Sequence, residues 1–150
     1  EAYMDVEGTP DEVFQSLARF LTKLYPSLEV AQRLRHSPDL SQLANDLSGV
    51  VELAEDGPMI AAGKTLAARD ALILALTGAY VGQRLGVLEK ESLTGRQLKI
   101  ATGKAGKTVM NQLPRLVESG LVERLAQGEY RVTHTGVREG QAAAAGARET

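Results

Sequence analysis

LKIATGKAGKTVMNQLPRLVESGLVERLAQGEYRVT, residues 98–133, is the stretch of sequence that sets the fold. A helical pattern over residues 96–102 ends at Gly103, and a second one over residues 107–119 ends at Gly120. Alternating apolar and polar residues at positions 121–125 and 129–133 flank a turn at residues 126–128, which is typical of a β-hairpin. The stretch therefore predicts two helices joined by a tight turn and followed by a two-stranded hairpin.

The second of these helices is strongly amphipathic. With about 3.6 residues per turn, one face collects the apolar side chains Val109, Leu113, Leu116 and Val117. The opposite face is polar and has no acidic residue before Glu118; it carries Lys107, Asn111 and Arg115, flanked by Thr108 and Gln112. Cations contact phosphates and can bind guanine edges, and an Asn or Gln amide can pair with adenine. A polyanion is therefore the partner that this face predicts.

The segments TGKAGKTVMNQLPRLVESGLVER and GEYRVT resemble the winged-helix domains of MarR- and ArsR-type transcription regulators. In those families the second helix enters the DNA major groove and the hairpin, or wing, lies along the backbone. The resemblance covers roughly the last half of the chain. It implies DNA contacts from the groove-facing helix (Lys107, Thr108, Asn111, Gln112, Arg115), the preceding helix (Arg96, Lys99) and the wing (Arg124, Gln127, Arg131). Lys104, in the turn between the two helices, is also expected to contact phosphates.

The second helix departs from the family pattern at two points. It begins at Ala105-Gly106, where those families usually place a Ser or Asp cap. It also contains Pro114, which predicts a bend or a lost hydrogen bond in the helix.

Composition and charge predict two parts with different roles. The 150 residues include 43% hydrophobic residues and no Cys, and the net charge is −2. Residues 1–91 contain 8 Lys and Arg against 14 Asp and Glu, whereas residues 92–140 contain 8 against 4. We expect an acidic α+β module at residues 1–63, a winged-helix domain at residues 64–138 and a flexible tail at residues 139–150, which makes an α+β, mainly helical chain. The alternative for the C-terminal residues is a short helix from Thr135 through Ala145, because Ala favours helix.

The acidic part has its own local signals. A weak strand is predicted at residues 2–7. A helix follows, with Thr9 as cap, Pro10 in its first turn and Glu12 completing a capping box. Further helices are predicted at residues 28–36 and after Ser37-Pro38; the second of these has Ser37 as its cap and an apolar face that includes Leu43 and Leu47. A hairpin is predicted at residues 50–61, and its strands would pair with the first strand.

The longest helix is predicted from Thr65 or Ala67 to about Leu85, and it is apolar on nearly every side. Such a helix is expected to be buried on several sides. The apolar run of residues 71–82 is shorter than the roughly 20 residues that a bilayer span needs, so no membrane association is expected. Gly78 and Gly82 form a GxxxG pattern, which indicates close helix packing or, alternatively, a dimer contact.

Residue patterns for catalysis and cofactor binding are weak. Residues 103–108 resemble a phosphate-binding loop, but Ala101 occupies the position where that motif needs its first Gly. Two pairs of adjacent acids, at residues 11–12 and 55–56, lack a neighbouring base or nucleophile. The two His residues are too far apart in sequence to suggest a metal site. We expect no enzymatic activity, no cofactor and no metal.

Two functions remain open at this point. The first is a cytoplasmic transcription regulator that binds double-stranded DNA as a homodimer and uses its N-terminal module for a protein partner. The second is a winged-helix adaptor that binds proteins and not DNA. Because Glu1 is not Met, we also expect the chain to be a fragment or a processed form.

Overall fold

A computed structural model of the chain describes residues 7–24, 39–61 and 65–149. The chain divides into two compact units, residues 1–37 and residues 38–150. The strand predicted at residues 2–7 (apart from Glu7), its pairing, and the helix predicted at residues 28–36 lie outside the described residues.

The described residues form six α-helices and two small antiparallel sheets. The prediction of an α+β, mainly helical chain is therefore confirmed. In chain order the elements are α1 (Pro10–Leu24), α2 (Leu40–Leu47), β1 (Val51–Ala54), β2 (Gly57–Ile60), α3 (Ala68–Arg84), β3 (Leu93–Thr94), α4 (Gly95–Thr102), α5 (Gly106–Glu118), β4 (Val122–Arg124), a short 3-10 turn (Ala126–Gly128), β5 (Glu129–Val132) and α6 (His134–Glu149).

In the first unit, α1 begins with the predicted capping box. The backbone N–H of Glu12 donates to Thr9 Oγ1 at 3.2 Å, and the Thr9 N–H donates to Glu12 Oε2 at 3.0 Å. Two apolar side chains of α1 are exposed: Phe14 is 71% and Leu17 43% exposed.

The second unit begins with α2, which is capped by a different residue from the one predicted. Asp39, rather than Ser37, is the N-cap, and its carboxylate accepts from the N–H groups of Ser41 and Gln42. Its β-region backbone and short acceptor side chain are what an N-cap requires. Leu43 and Leu47 are buried as predicted. The hairpin also forms as predicted, with β1 and β2 antiparallel and Val51 opposite Ile60.

Helix α3 lies at the centre of the second unit and is buried at every position from Ala71 to Gly82. It contacts α2, both strands of the first hairpin, α4, α5, β5 and α6. A helix surrounded in this way needs apolar or small residues on all sides, which is the pattern that its sequence shows.

Gly78 and Gly82 are buried against the first hairpin and the α3–β3 connection of the same chain. A Cβ atom on Gly78 would lie 2.7 Å from Val51 Cγ1 and 3.1 Å from Pro58 Cβ. A Cβ on Gly82 would lie 2.7 Å from Leu88 Cδ1. The two glycines therefore allow the chain's own hairpin and loop to approach α3 closely.

Replacing Gly78 by Ala tests this packing. We expect Gly78→Ala to lower the free energy of unfolding by about 1–3 kcal/mol, the usual cost of overpacking a filled core, and to leave the molecular mass in solution unchanged. Urea unfolding and light scattering measure the two quantities. A lower molecular mass in solution, with an unchanged free energy of unfolding, would indicate instead that these glycines lie in a dimer interface.

Helices α4 and α5 follow, in the predicted order, and then a hairpin. They contact each other and are joined by residues 103–105. Strands β4 and β5 pair antiparallel with Val122 opposite Val132, and β3 adds a third strand beside β5. The third strand was not predicted, because two residues are too few to show an alternating pattern.

The prediction of a flexible tail at residues 139–150 is wrong for residues 139–149. These residues belong to α6, which packs on α2, α3 and β5. Val137 and Ala144 are completely buried, and Arg148 donates to the carbonyl oxygens of Asn45 and Ser48.

An ion pair also connects α6 to α3. Arg69 on α3 donates a hydrogen bond to Glu139 on α6, and this bond raises the pKa of the Arg69 guanidinium. Small residues let this helix pack closely despite its few large apolar side chains.

The predicted domain boundary after residue 63 is also wrong. The β1–β2 hairpin packs against α3 and α4, and α2 packs against α3 and α6. Residues 38–61 therefore share the core of the second unit, and the division of the chain lies after residue 37.

All helices in the described part of the chain are too short or too polar to cross a bilayer.

Candidate nucleic-acid interface

Helix α5 presents its polar face to solvent. Lys107, Asn111 and Arg115 are exposed, at intervals of four residues, whereas Val109 and Leu113 are 1% and 0% exposed. Thr108 and Gln112 are half-buried at one edge of the exposed face. The helical wheel therefore predicted correctly which side of α5 is covered. What remains open is a row of two cations and one amide along the accessible side.

The helix runs through Pro114 without interruption from Gly106 to Glu118. Proline has no N–H, so the carbonyl of Met110 has no donor from the residue four positions later. Ala105 is the N-cap and makes no side-chain cap hydrogen bond, as the sequence predicted. The start of α5 therefore depends on packing more than on capping.

The same side of α5 also exposes an apolar side chain that had no assigned role in the sequence. Met110 is 55% exposed, and it lies three residues after Lys107 and next to Asn111. Its sulfur would be 3.3 Å from a Cβ atom on Gly95, so the thioether lies against the first residue of α4. The spacing from Lys107 was the available signal, because residues three apart share a helix face.

Helix α4 is fixed by a complete capping box at its start. Thr94 Oγ1 accepts from the Gln97 N–H at 3.2 Å, and the Thr94 N–H donates to Gln97 Oε1 at 2.8 Å. The helix ends at Gly103, which has φ 68, a left-handed conformation that glycine adopts without strain. Leu98 is buried, whereas Arg96 and Lys99 are exposed.

Lys104, in the turn between α4 and α5, is half-buried and bonded within the chain. Its ammonium group donates a hydrogen bond to the carbonyl oxygen of Leu66, just before α3. This position makes Lys104 a structural link between the turn and α3. The sequence could not show this, since the two residues are 38 positions apart.

The tip of the second hairpin exposes Arg124 and Gln127. Gln127 has φ 64, and it is the one residue other than glycine with a positive φ in the described ranges. A left-handed residue with a side chain costs about 1 kcal/mol or more. The tight turn that carries this side chain outward is therefore slightly strained.

Arg131, the third predicted wing residue, is held by two acidic side chains. Its Nη2 lies 2.8 Å from Glu123 Oε2 and its Nη1 3.6 Å from Glu91 Oε1. The hydrogen bond to Glu123 raises the pKa of the Arg131 guanidinium. Glu91 also pairs with Arg84 at 2.9 Å, and the Arg84 guanidinium carbon lies 3.6 Å above the Tyr80 ring.

The other predicted cations are not neutralised in this way. Within residues 7–24, 39–61 and 65–149, no ion pair involves Arg96, Lys99, Lys107, Arg115 or Arg124. These five exposed side chains belong to α4, α5 and the second hairpin, which follow one another in the chain. The arrangement leaves positive charge available to an anionic partner.

The described residues contain no cluster of three or more His, Cys, Asp or Glu side chains that could hold a metal ion. The comparisons with known proteins add no further assignment: no family model, no curated protein and no solved structure matches the chain.

Proposed function

We propose that the chain is a DNA-binding protein, a transcription regulator of the winged-helix type. Helix α5 acts as the recognition helix in the major groove, and the β4–β5 hairpin is the wing on the backbone. The single observation that carries this proposal is the exposed row of Lys107, Asn111 and Arg115, which has no acidic partner among the described residues.

The neighbouring cations have a positioning role in this proposal. Arg96 and Lys99 on α4 and Arg124 on the wing contact phosphates, which fix the orientation of a protein on the duplex without reading its sequence. Arg131 contributes less, because Glu123 and Glu91 already hold it. The proposed function is not enzymatic.

A salt titration tests the proposal. We expect a fluorescent 20-base-pair duplex to bind at low salt, with an affinity that falls by a slope of about −0.9 on logarithmic axes for each phosphate contacted. With four or five such contacts the slope is about −4. A lack of binding at low salt, or binding that is insensitive to salt, would contradict DNA recognition.

The second candidate, a protein-binding adaptor, has one observation in its favour. A cavity of about 530 Å³ between the first hairpin and α4 is lined by Met59, Arg96 and Ile100, among others. Ile100 is 60% and Met59 41% exposed. An adaptor using this surface would keep its partner when Lys107 and Arg115 are reversed in charge, whereas a DNA-binding protein would lose its duplex.

The assembly proposed for the DNA-binding form is a homodimer, because two-fold operators match two-fold proteins. The first unit is proposed to contact a protein partner, since its described helix exposes Phe14 and Leu17. Light scattering with and without duplex tests the dimer, and a complex of one chain per duplex would contradict it.

Releasing Arg131 gives a further test of the wing. Glu123→Gln removes the acid that lies 2.8 Å from the guanidinium, so Arg131 becomes available to phosphate. Since exposed ion pairs contribute about 0.2–1 kcal/mol, we expect duplex affinity to rise up to about fivefold. Fluorescence anisotropy measures the change.

The matched control is Glu139→Gln, which removes the same charge from an acid that pairs with Arg69 on the α3–α6 side. Equal gains from the two variants would show a general charge effect, and the specific role of Arg131 would be rejected.

A further inference from the structure

The exposed face of α5 combines an amide with an apolar side chain at adjacent positions. Asn111 is exposed, and Met110 beside it is 55% exposed. The large apolar side chains on the opposite face of the helix are almost completely buried: Val109, Leu113 and Leu116. Met110 is therefore outside the core and is presented to whatever covers α5.

The position of Met110 is partly fixed. Its sulfur lies against Gly95, where a Cβ atom would be only 3.3 Å away. A side chain held in this way loses less freedom on binding than one that extends freely into water. Lys107 and Pro114, three residues before and four after Met110, are exposed on the same side.

The major groove offers a matching pair of features at A·T base pairs. Adenine presents an acceptor and a donor that an Asn amide binds bidentately, and the thymine methyl is the apolar group in that groove that side chains contact. We propose that α5 recognises two neighbouring A·T pairs, with Asn111 on an adenine edge and Met110 on a thymine methyl. This inference rests on the proposed DNA-binding function.

The alternative roles of Met110 explain less. A core role is ruled out by its exposure. A contact with a second copy of the chain through this face would cover Lys107 and Asn111 and leave their polar groups without water, which is costly unless they are paired. A thymine contact places Met110 on the methyl while its polar neighbours pair with the bases and phosphates.

Base analogues test the inference one atom group at a time. A duplex selected by the protein from a 20-base-pair random pool is first obtained. Each thymine is then replaced singly by uracil, which lacks the methyl group. We expect one such replacement to weaken binding about fourfold, the value of burying one methyl-sized group. Met110→Ala is expected to bind the thymine and uracil duplexes equally.

A second substitution in the same duplex tests Asn111. Replacing the contacted adenine by 7-deazaadenine removes the N7 acceptor, and we expect a loss of about tenfold for the wild-type protein. Asn111→Ala is expected to be insensitive to that replacement.

Ile100→Ala is the matched control for Met110→Ala, because Ile100 is also an exposed apolar residue but lies on α4. This variant should keep the full sensitivity to the replacement of thymine by uracil.

The outcomes separate the two proposals. A protein that binds no duplex overturns the DNA-binding function and this inference with it. A protein that binds duplex in a salt-dependent way but shows no uracil effect, or a uracil effect that persists in Met110→Ala, overturns the assignment of Met110 alone. If Met110→Ala changes the molecular mass and replacing thymine by uracil has no effect, Met110 belongs to a protein contact, and the assignment of Met110 to thymine is again overturned.

Discussion

Gly136→Ala is expected to destabilise the second unit strongly. A Cβ atom on Gly136 would lie 2.1 Å from the carbonyl oxygen of Leu121 and 2.5 Å from Val132 Cγ2. The Gly136 N–H donates to Thr133 Oγ1 at 3.1 Å, and the Leu121 carbonyl accepts from the Thr133 N–H at 3.0 Å. These hydrogen bonds hold both sides of the contact, so the strain cannot be relieved by moving one flexible side chain.

We expect this substitution to cost more than the usual 1–3 kcal/mol of overpacking, about 3 kcal/mol or more. That is a large share of a typical stability of about 5–15 kcal/mol. Urea unfolding followed by circular dichroism measures it. The backbone clash at Gly136 involves α6 and the loop before β4, so loss of stability should be accompanied by loss of any duplex binding.

Gly146→Ala is the matched control, because Gly146 lies in the same helix and an added Cβ there meets nothing within 4 Å. Since Ala is favoured over Gly in a helix interior, we expect this variant to gain up to about 1 kcal/mol. Similar free energies of unfolding for the two variants would contradict the packing of α6 described above.

The double variant Lys107→Glu, Arg115→Glu is expected to lose at least about 100-fold in duplex affinity. Each reversal removes one favourable contact and adds a repulsive one, and a loss of about 1.4 kcal/mol per position is tenfold. Both side chains are exposed and lie apart from the core, so the free energy of unfolding should stay within about 0.5 kcal/mol of the wild-type value.

The single variants and Arg138→Glu provide the comparison. Arg138 is an exposed cation on α6, outside the proposed interface, and its reversal changes the net charge as much as either single variant. We expect Arg138→Glu to weaken binding only slightly. For the α5 variants we expect the slope of the salt titration to decrease by about 1 for each lost phosphate contact. Equal losses from Arg138→Glu and Lys107→Glu would reject α5 as the contact surface.

Helix α6 shows where the sequence pattern was insufficient. Its residues include few large apolar side chains, and hydrophobic periodicity detects a buried helix mainly through such side chains. The helix is buried through small residues instead: a Cβ on Gly140 would lie 2.3 Å from Thr77 Oγ1, and Ala144 is completely buried. Close approach of two helices by means of small residues leaves no periodic apolar signal.

The sequence also could not show which Lys and Arg side chains are bonded within the chain and which are not. The sequence predicted DNA contacts for Lys104 and Arg131 just as it did for Lys107. The fold brings Lys104 to the Leu66 carbonyl and Arg131 between Glu123 and Glu91, partners that lie 38, 8 and 40 positions away. Glu123 and Arg131 face each other because β4 and β5 pair in that register.

The sequence by itself determined the order of the helices and of the two hairpins in residues 39–133, the cap at Thr9, and the buried side of α5. These features depend on neighbours within a few positions, where helical and strand periodicity and capping act directly. Only the tertiary structure decided that residues 139–149 belong to the core, that Gly78 and Gly82 face the first hairpin, and which cations remain unpaired. Those outcomes depend on contacts between residues distant in sequence, which local patterns do not encode.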